Sequence, residues 1–262
     1  MKLDNLMNII LFTIKDVSRS KWIFMYGIIQ FILTFLLISF SADTNKTIVS
    51  LLNLTIILNP VICIVFSTVY IYNSREFIEL LLAQPIKRNI IFYGLYIGLS
   101  IILATILVLS IALPFIMNSI QDIGIVLFLI LSGSMITFVY IALALTISVA
   151  FDDKATGLGV SILVWLFFAV IFDGLILIAS YVFADYPLEL PLVVTSMFNP
   201  IDMGRIIVML KMDFAALMGY TGAVFEKFFG SLVGILMALT TLFLWIIIPL
   251  FVGNKLFKAK NF

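Results

Sequence analysis

Six apolar stretches, each long enough to cross a bilayer as a helix, are separated along this chain by short polar loops that carry nearly all of its charge. A helical crossing needs about 20 apolar residues, and this sequence supplies that length repeatedly, over residues 22–41, 51–72, 90–117, 125–150, 157–183 and 231–253. Only 11% of the residues are charged, against roughly 25% in a soluble domain, which is too few to cover a water-facing surface. The implied fold class is all-α integral membrane, with residues 1–262 read as a single membrane domain and no room for a separate catalytic unit.

The loops give the orientation. On one side lie eleven basic residues: Lys2, Lys15, Arg19 and Lys21 before the first span, Arg75, Lys87 and Arg88 in the loop over 73–89, Lys154, and Lys255, Lys258 and Lys260 in the tail. The other side holds four, namely Lys46, Arg205, Lys211 and Lys227. Cytoplasmic loops carry the excess of Lys and Arg, so both termini are expected in the cytoplasm.

Residues 3–19 repeat apolar positions at helical spacing (Leu3, Met7, Ile10, Leu11, Ile14, Val17), with Asn5, Asn8, Lys15 and Arg19 on the other faces. This predicts an amphipathic helix lying in the inner interface, in contact with lipid, and leading into the first span. Between spans five and six, residues 184–230 form an extracytoplasmic segment far longer than the other outer loops. Asn199-Pro200-Ile201-Asp202 starts a helix there, with Asn at the cap, Pro at the first helical position and an acid in the first turn. That helix is expected to run to about Met212. Asp213 could cap a second, and Gly219-Tyr220-Thr221-Gly222 reads as a turn before re-entry.

The residue inventory closes off several chemistries. The chain has no His, which removes Ser-His hydrolysis and His-based zinc sites. It has no GxxxxGK[ST] phosphate loop, its net charge of +1 gives no case for nucleic acid, and its single cysteine, Cys63, lies in an apolar run without a partner. The chain is therefore not expected to be an enzyme, and no cofactor is expected in it. Asp152-Asp153 reads as a solvated turn. Asp173 is the one carboxylate deep in a span, and such residues are functional candidates by default; its plain alternative is hydration near the outer surface. Asn59-Pro60 predicts a kink in span two, with a freed carbonyl satisfied by a neighbouring side chain. Met197, Met203, Met209, Met212 and Met218 cluster outside the membrane. Thioethers suit Cu(I), so Met209 and Met212 are weak metal candidates, although their spacing equally fits ordinary packing.

The loop over 73–89 holds a short amphipathic helix, with Phe77, Leu80 and Leu81 beside Glu76 and Glu79, stopped by Pro85. Apolar and acidic residues on such a helix suit docking of a soluble partner as well as they suit an interfacial helix. Arg75…Glu79-Leu80-Leu81-Leu82…Pro85…Arg88 resembles the loop of ABC-2-type permeases, which implies that Glu76, Phe77, Glu79, Leu80, Leu81 and Pro85 engage a separate cytoplasmic ATPase carrying ATP and Mg. The Gly often found a few residues before the Leu run is absent, near Glu76 or Phe77. A narrower resemblance lies in Asn199-Pro200-Ile201-Asp202…Arg205, in Gly219 to Phe225, and in Lys260-Asn261-Phe262. These are similar to permease subunits of nitrous oxide reductase maturation systems. That likeness implies a bacterial inner-membrane location and a homodimer. It also implies a periplasmic copper-handling partner, for which Asn199, Pro200, Asp202, Arg205 and Ile206 would form the docking surface. The rival functions are an ABC-2 exporter of a peptide, lipid or drug, and an ion-coupled secondary carrier built on Asp173.

Overall fold

The computed structural model describes residues 2–40, 44–118, 123–183, 189–212 and 220–260. Every element among them is helical. The helices are α1 (Lys2–Val17), α2 (Lys21–Phe40), α3 (Thr44–Asn73), α4 (Arg75–Leu82), α5 (Arg88–Met117), α6 (Ile123–Ala150), α7 (Lys154–Leu166), α8 (Phe172–Val182), α9 (Glu189–Ser196), α10 (Pro200–Lys211) and α11 (Tyr220–Ala259), with a π-helical turn over Phe167–Ile171 joining α7 to α8. Six helical stretches are long and apolar enough to span a membrane: α2, α3, α5, α6, the α7–α8 run and α11. Helices of this length are a consequence of the solvent, because hydrocarbon offers backbone groups no partner outside their own helix.

α6 is the central post. It packs against α3, α5, α10 and α11, and Leu129, Ile136, Val139, Tyr140 and Ile141 on it are fully buried. The spans are also pinned by buried polar side chains, which are efficient glue where apolar burial alone gives no preference between a neighbour and lipid. Asn59 is the hub. Its Nδ2 donates to the Gly133 carbonyl at 3.0 Å and to Thr137 Oγ1 at 2.9 Å, while its Oδ1 accepts from Tyr26 at 3.1 Å. Cys63, buried as expected, donates its thiol to the same Oδ1. α3 runs through Pro60, and the indole of Trp165 donates to the carbonyl of Ile57, one turn before that proline.

α1 forms where expected but is seated on protein. Ile9, Thr13 and Val17 are buried, and the helix crosses α5 at Gly94 and Gly98, so closely that a Cβ on either glycine would stand 2.7 Å from an α1 side chain. The Gly-x-x-x-Gly spacing is the sequence signal for such an approach.

In the outer segment, Asn199 caps α10 as expected, its Oδ1 accepting from the Ile201 amide at 3.0 Å. The turn expected over 219–222 is corrected: from Tyr220 onward the backbone is already helical, making α11 longer than the sixth apolar stretch. Gly219 and the Asp213 cap lie outside the described residues.

Candidate functional site

Two places bring the sequence candidates together, one at each end of the bundle. The first is the end that carries both termini, the end that the charge rule expects in the cytoplasm. There α4 lies across the bundle with one face committed to it. Ile78 and Leu81 are buried, and Phe77 stacks on Phe12 of α1 with ring centroids 4.3 Å apart. Leu81 is only 8% exposed whereas Leu80 is 67% exposed. Phe77 and Leu81 are thus spoken for within the chain, and the outward stripe is Glu76, Glu79 and Leu80, continued by the exposed Ala83, Gln84 and Pro85. Spacings of three and four place these residues on one helical face. Apolar periodicity could pick out the amphipathic helix but not decide which leucine faces inward.

Polar contacts stitch α4 to its surroundings. Arg75 lies over the Tyr72 ring at 4.7 Å and donates to the Phe151 carbonyl at 3.2 Å, which Tyr72 also bonds at 2.8 Å. The α6–α7 turn is more than a solvated pair of acids. Asp152 is exposed but meets Lys260 Nζ at 2.6 Å and Arg75 at 4.0 Å; the hydrogen bond from Lys260, then its charge, hold the Asp152 carboxyl below the usual range. Asp153 caps α7 by accepting from the Thr156 amide at 2.7 Å, and that bond is the main reason its carboxyl also sits low. Arg88, near the end of the 73–89 loop, donates to the carbonyls of Phe257, Lys258 and Lys260 and so closes the C-terminal end of α11. A cation at that end also meets the negative pole of the helix.

The second place is the opposite end. α10, with the candidate docking surface over 199–206, packs into the bundle against α3, α6 and α11. Ser132 on α6 donates to the Gly204 carbonyl at 2.6 Å, and a Cβ on Gly204 would collide with Ile136. Asn199, Pro200, Asp202 and Ile206 are buried, and Arg205 is three-quarters covered. These residues therefore offer little surface to a soluble partner, because the fold has already used them. Met209 and Met212 follow the packing alternative: both are buried in the hydrophobic core beside Met203. Among the described residues, no group of three or more His, Cys, Asp or Glu side chains could hold a metal.

Asp173 finds its partner here. Arg205 Nη1 stands 3.5 Å from Asp173 and 3.4 Å from Asp202. The carboxyl of Asp202 is pushed up to about 7, first by burial and then by Asp173, with Arg205 opposing. Asp202 in its neutral form leaves Asp173 and Arg205 as a balanced pair joining the fifth span to α10. Asn199 strengthens the same joint, its Nδ2 donating to the Phe168 carbonyl inside the π-turn at 3.0 Å. No sequence pattern assigns Asp173 a charged neighbour, since Arg205 lies on a different element far along the chain. In this arrangement the two acids and one cation fix one helix against another.

No family model matches this chain. A curated protein does: "Probable ABC transporter permease protein NosY" of Stutzerimonas stutzeri is 25% identical over 232 residues, covering 81% of this chain and 78% of that protein. The chain is similar to an ABC transporter permease. The span of the match takes in most of the bundle, so the likeness is to the membrane subunit as a whole and not to one helix.

Proposed function

We propose that this chain is the membrane-spanning subunit of an ATP-driven transporter, engaged by a separate cytoplasmic ATPase through α4. The observation that carries this reading is the division of α4 into two faces. One is locked onto α1 and the bundle, and the other presents Leu80 between Glu76 and Glu79 with no use inside the chain. Arg75 and the Asp152–Lys260 pair then link any movement of α4 to the ends of α6 and α11. The likeness over four fifths of the chain to an ABC transporter permease supports it.

Within that class, we favour a role in copper-site assembly of nitrous oxide reductase, with a periplasmic copper-handling protein as second partner. The motifs over 199–225 and the tail support this reading. With α10 buried, the surface for that partner passes to the exposed edge of α9, Pro191, Val194 and Thr195, with Phe198. The fifth span has no buried residue in its π-turn or in α8, and a second copy packed on it would account for a homodimer. The carrier built on Asp173 is not favoured, because Arg205 already compensates that charge.

The test is Leu80→Asp. It places a carboxylate where an apolar groove would receive the leucine, at a cost of several kcal/mol, yet leaves the bundle intact because Leu80 is exposed. The ATPase should no longer co-purify, and copper loading of the reductase should fail. A Leu80→Asp chain that keeps its ATPase would remove α4 from the interface. Fully copper-loaded reductase in cells lacking this chain would shift the reading to an exporter of other cargo.

A further inference from the structure

α2 is drawn towards α5, where Gly27 lies so close to Ile106 that a Cβ would stand 2.9 Å from it. Its other flank is left parted from α3 at the end bearing the termini, and a cleft of about 820 Å³ opens between them. Its walls are apolar side chains, Met25 and Ile29 on α2 facing Ile62 and Val65 on α3. Its upper end is polar, formed by Asp16, Ser20, Tyr70 and Ser74. The Tyr70 hydroxyl is buried and completes no hydrogen bond, although Thr13, Asp16 and Ser74 stand around it; the Thr13 hydroxyl beneath it is orphaned too. A buried hydroxyl without a partner is destabilising, and two together at the polar end of a cleft mark a place where another molecule's polar group fits.

We propose that this cleft binds one ethanolamine phospholipid of the cytoplasmic leaflet. An acyl chain lies along the α2–α3 walls and the headgroup sits at Tyr70 and Asp16. Three features select this occupant. The cleft has an apolar length with a polar end, as an amphiphile has, and its volume lies within the range of ligand sites. Its polar end falls at the α1–α2 elbow, where the exposed Arg19 and Lys21 flank Ser20 and suit the depth of lipid phosphates. Asp16 calls for a cation that can donate hydrogen bonds, which an ethanolamine ammonium supplies. A glycerol headgroup carries no such cation, and choline carries no N–H. The Tyr70 hydroxyl can then donate to a phosphate or ester oxygen. The proposal goes beyond the transporter reading and does not depend on it.

The chain is reconstituted in nanodiscs holding either an ethanolamine or a glycerol phospholipid, each with the same photoreactive acyl chain. Cross-links should concentrate on Met25, Ile29, Ile62 and Val65, with the ethanolamine lipid favoured about threefold, the scale of one exposed charge pair. Asp16→Asn should abolish that preference, and Tyr70→Phe should lower labelling by both lipids. Val65→Trp, or the milder Ile62→Phe should the tryptophan variant not stay monodisperse, should empty the cleft of label while labelling at Leu109 and Leu113 persists. Labelling spread evenly over Ile28, Ile32 and Leu36 would mean bulk lipid only and would overturn the site. Equal labelling by the two lipids, unmoved by Asp16→Asn, would overturn the headgroup. Cross-linking of two copies through cysteines at Val65 would assign the cleft to a protein interface instead.

Discussion

The crossing of α1 over α5 sets the position of everything α4 rests on, and it can be broken by two methyl groups. In Gly94→Ala/Gly98→Ala, the new Cβ atoms would stand 2.7 Å from Ile9 Cγ2 and 2.7 Å from Thr13 Cβ, with the Ile10 carbonyl 3.2 Å from the second. Carbon atoms rest at about 3.5–4.0 Å, so α1 must retreat by about 1 Å. Neither a Cβ nor a backbone carbonyl can swing aside as a side-chain tip does. Overpacking of this kind costs about 1–3 kcal/mol per site, and alanine returns up to about 1 kcal/mol in helix propensity, leaving a net loss of about 2 kcal/mol for the pair. The retreat should also part Phe12 from Phe77, stacked at 4.3 Å. With cysteines at those two positions in a Cys63→Ser background, a short bifunctional thiol reagent should link α1 to α4 efficiently. The glycine double variant should cross-link poorly and melt at lower temperature in detergent. Undiminished cross-linking together with an unchanged melting temperature would refute the tight crossing and the seat it gives α4.

Two further outcomes concern the α10 joint. Asn199→Ala removes a helix cap worth roughly 0.5–2 kcal/mol and orphans the Phe168 carbonyl; thermal unfolding should show a larger loss than for Asn199→Ser, which keeps a capping oxygen and buries no charge. Asp202 has a folded-state pKa of about 7, raised from an ordinary value of about 4. Its contribution is therefore fully present below about pH 4 and is lost as pH rises through about 7. Unfolding midpoints in detergent should fall between about pH 5 and pH 8 for the native chain and stay level for Asp202→Asn.

The spans and α1 were legible because their causes are local: lipid demands a fixed apolar length, and one face of a short helix declares itself by spacing. The Asn199-Pro200 start was legible for the same reason. The destination of α10 was not, since an apolar helix beside a membrane fits lipid or protein equally well. One sign was available: Ile206-Ile207-Val208-Met209-Leu210 is apolar all round, which marks a helix buried on every side, and Gly204 beside it permits close approach. The pairing of Asp173 with Arg205 depends on where two separate elements come to rest, and no spacing rule encodes it. The contrast between Leu80 and Leu81 is of the same kind, being decided by Phe12 and the bundle surface. The cleft between α2 and α3 arises from Gly27 pulling α2 the other way, a consequence visible only once α5 is in place.

The π-turn over Phe167–Ile171 has a consequence for how this chain tolerates insertion and deletion. A π-turn fits extra backbone into a helix without lengthening it by a full turn, and each residue of an α-helix rotates the next by about 100° around the axis. Five residues of π-turn wind the chain by about the same angle as four of α-helix, so removing one there would let the stretch close as plain α-helix and keep α8 in phase, with Asp173 still facing Arg205. Removing one residue from α7, which has no such reserve, would swing α8 around its axis, carrying Asp173 away from Arg205. Single-residue deletions at 167–171 should therefore pass both membrane insertion and assembly, whereas a deletion at Leu163 should pass insertion and fail assembly. The fifth span keeps its spare residue where a change of length can be absorbed.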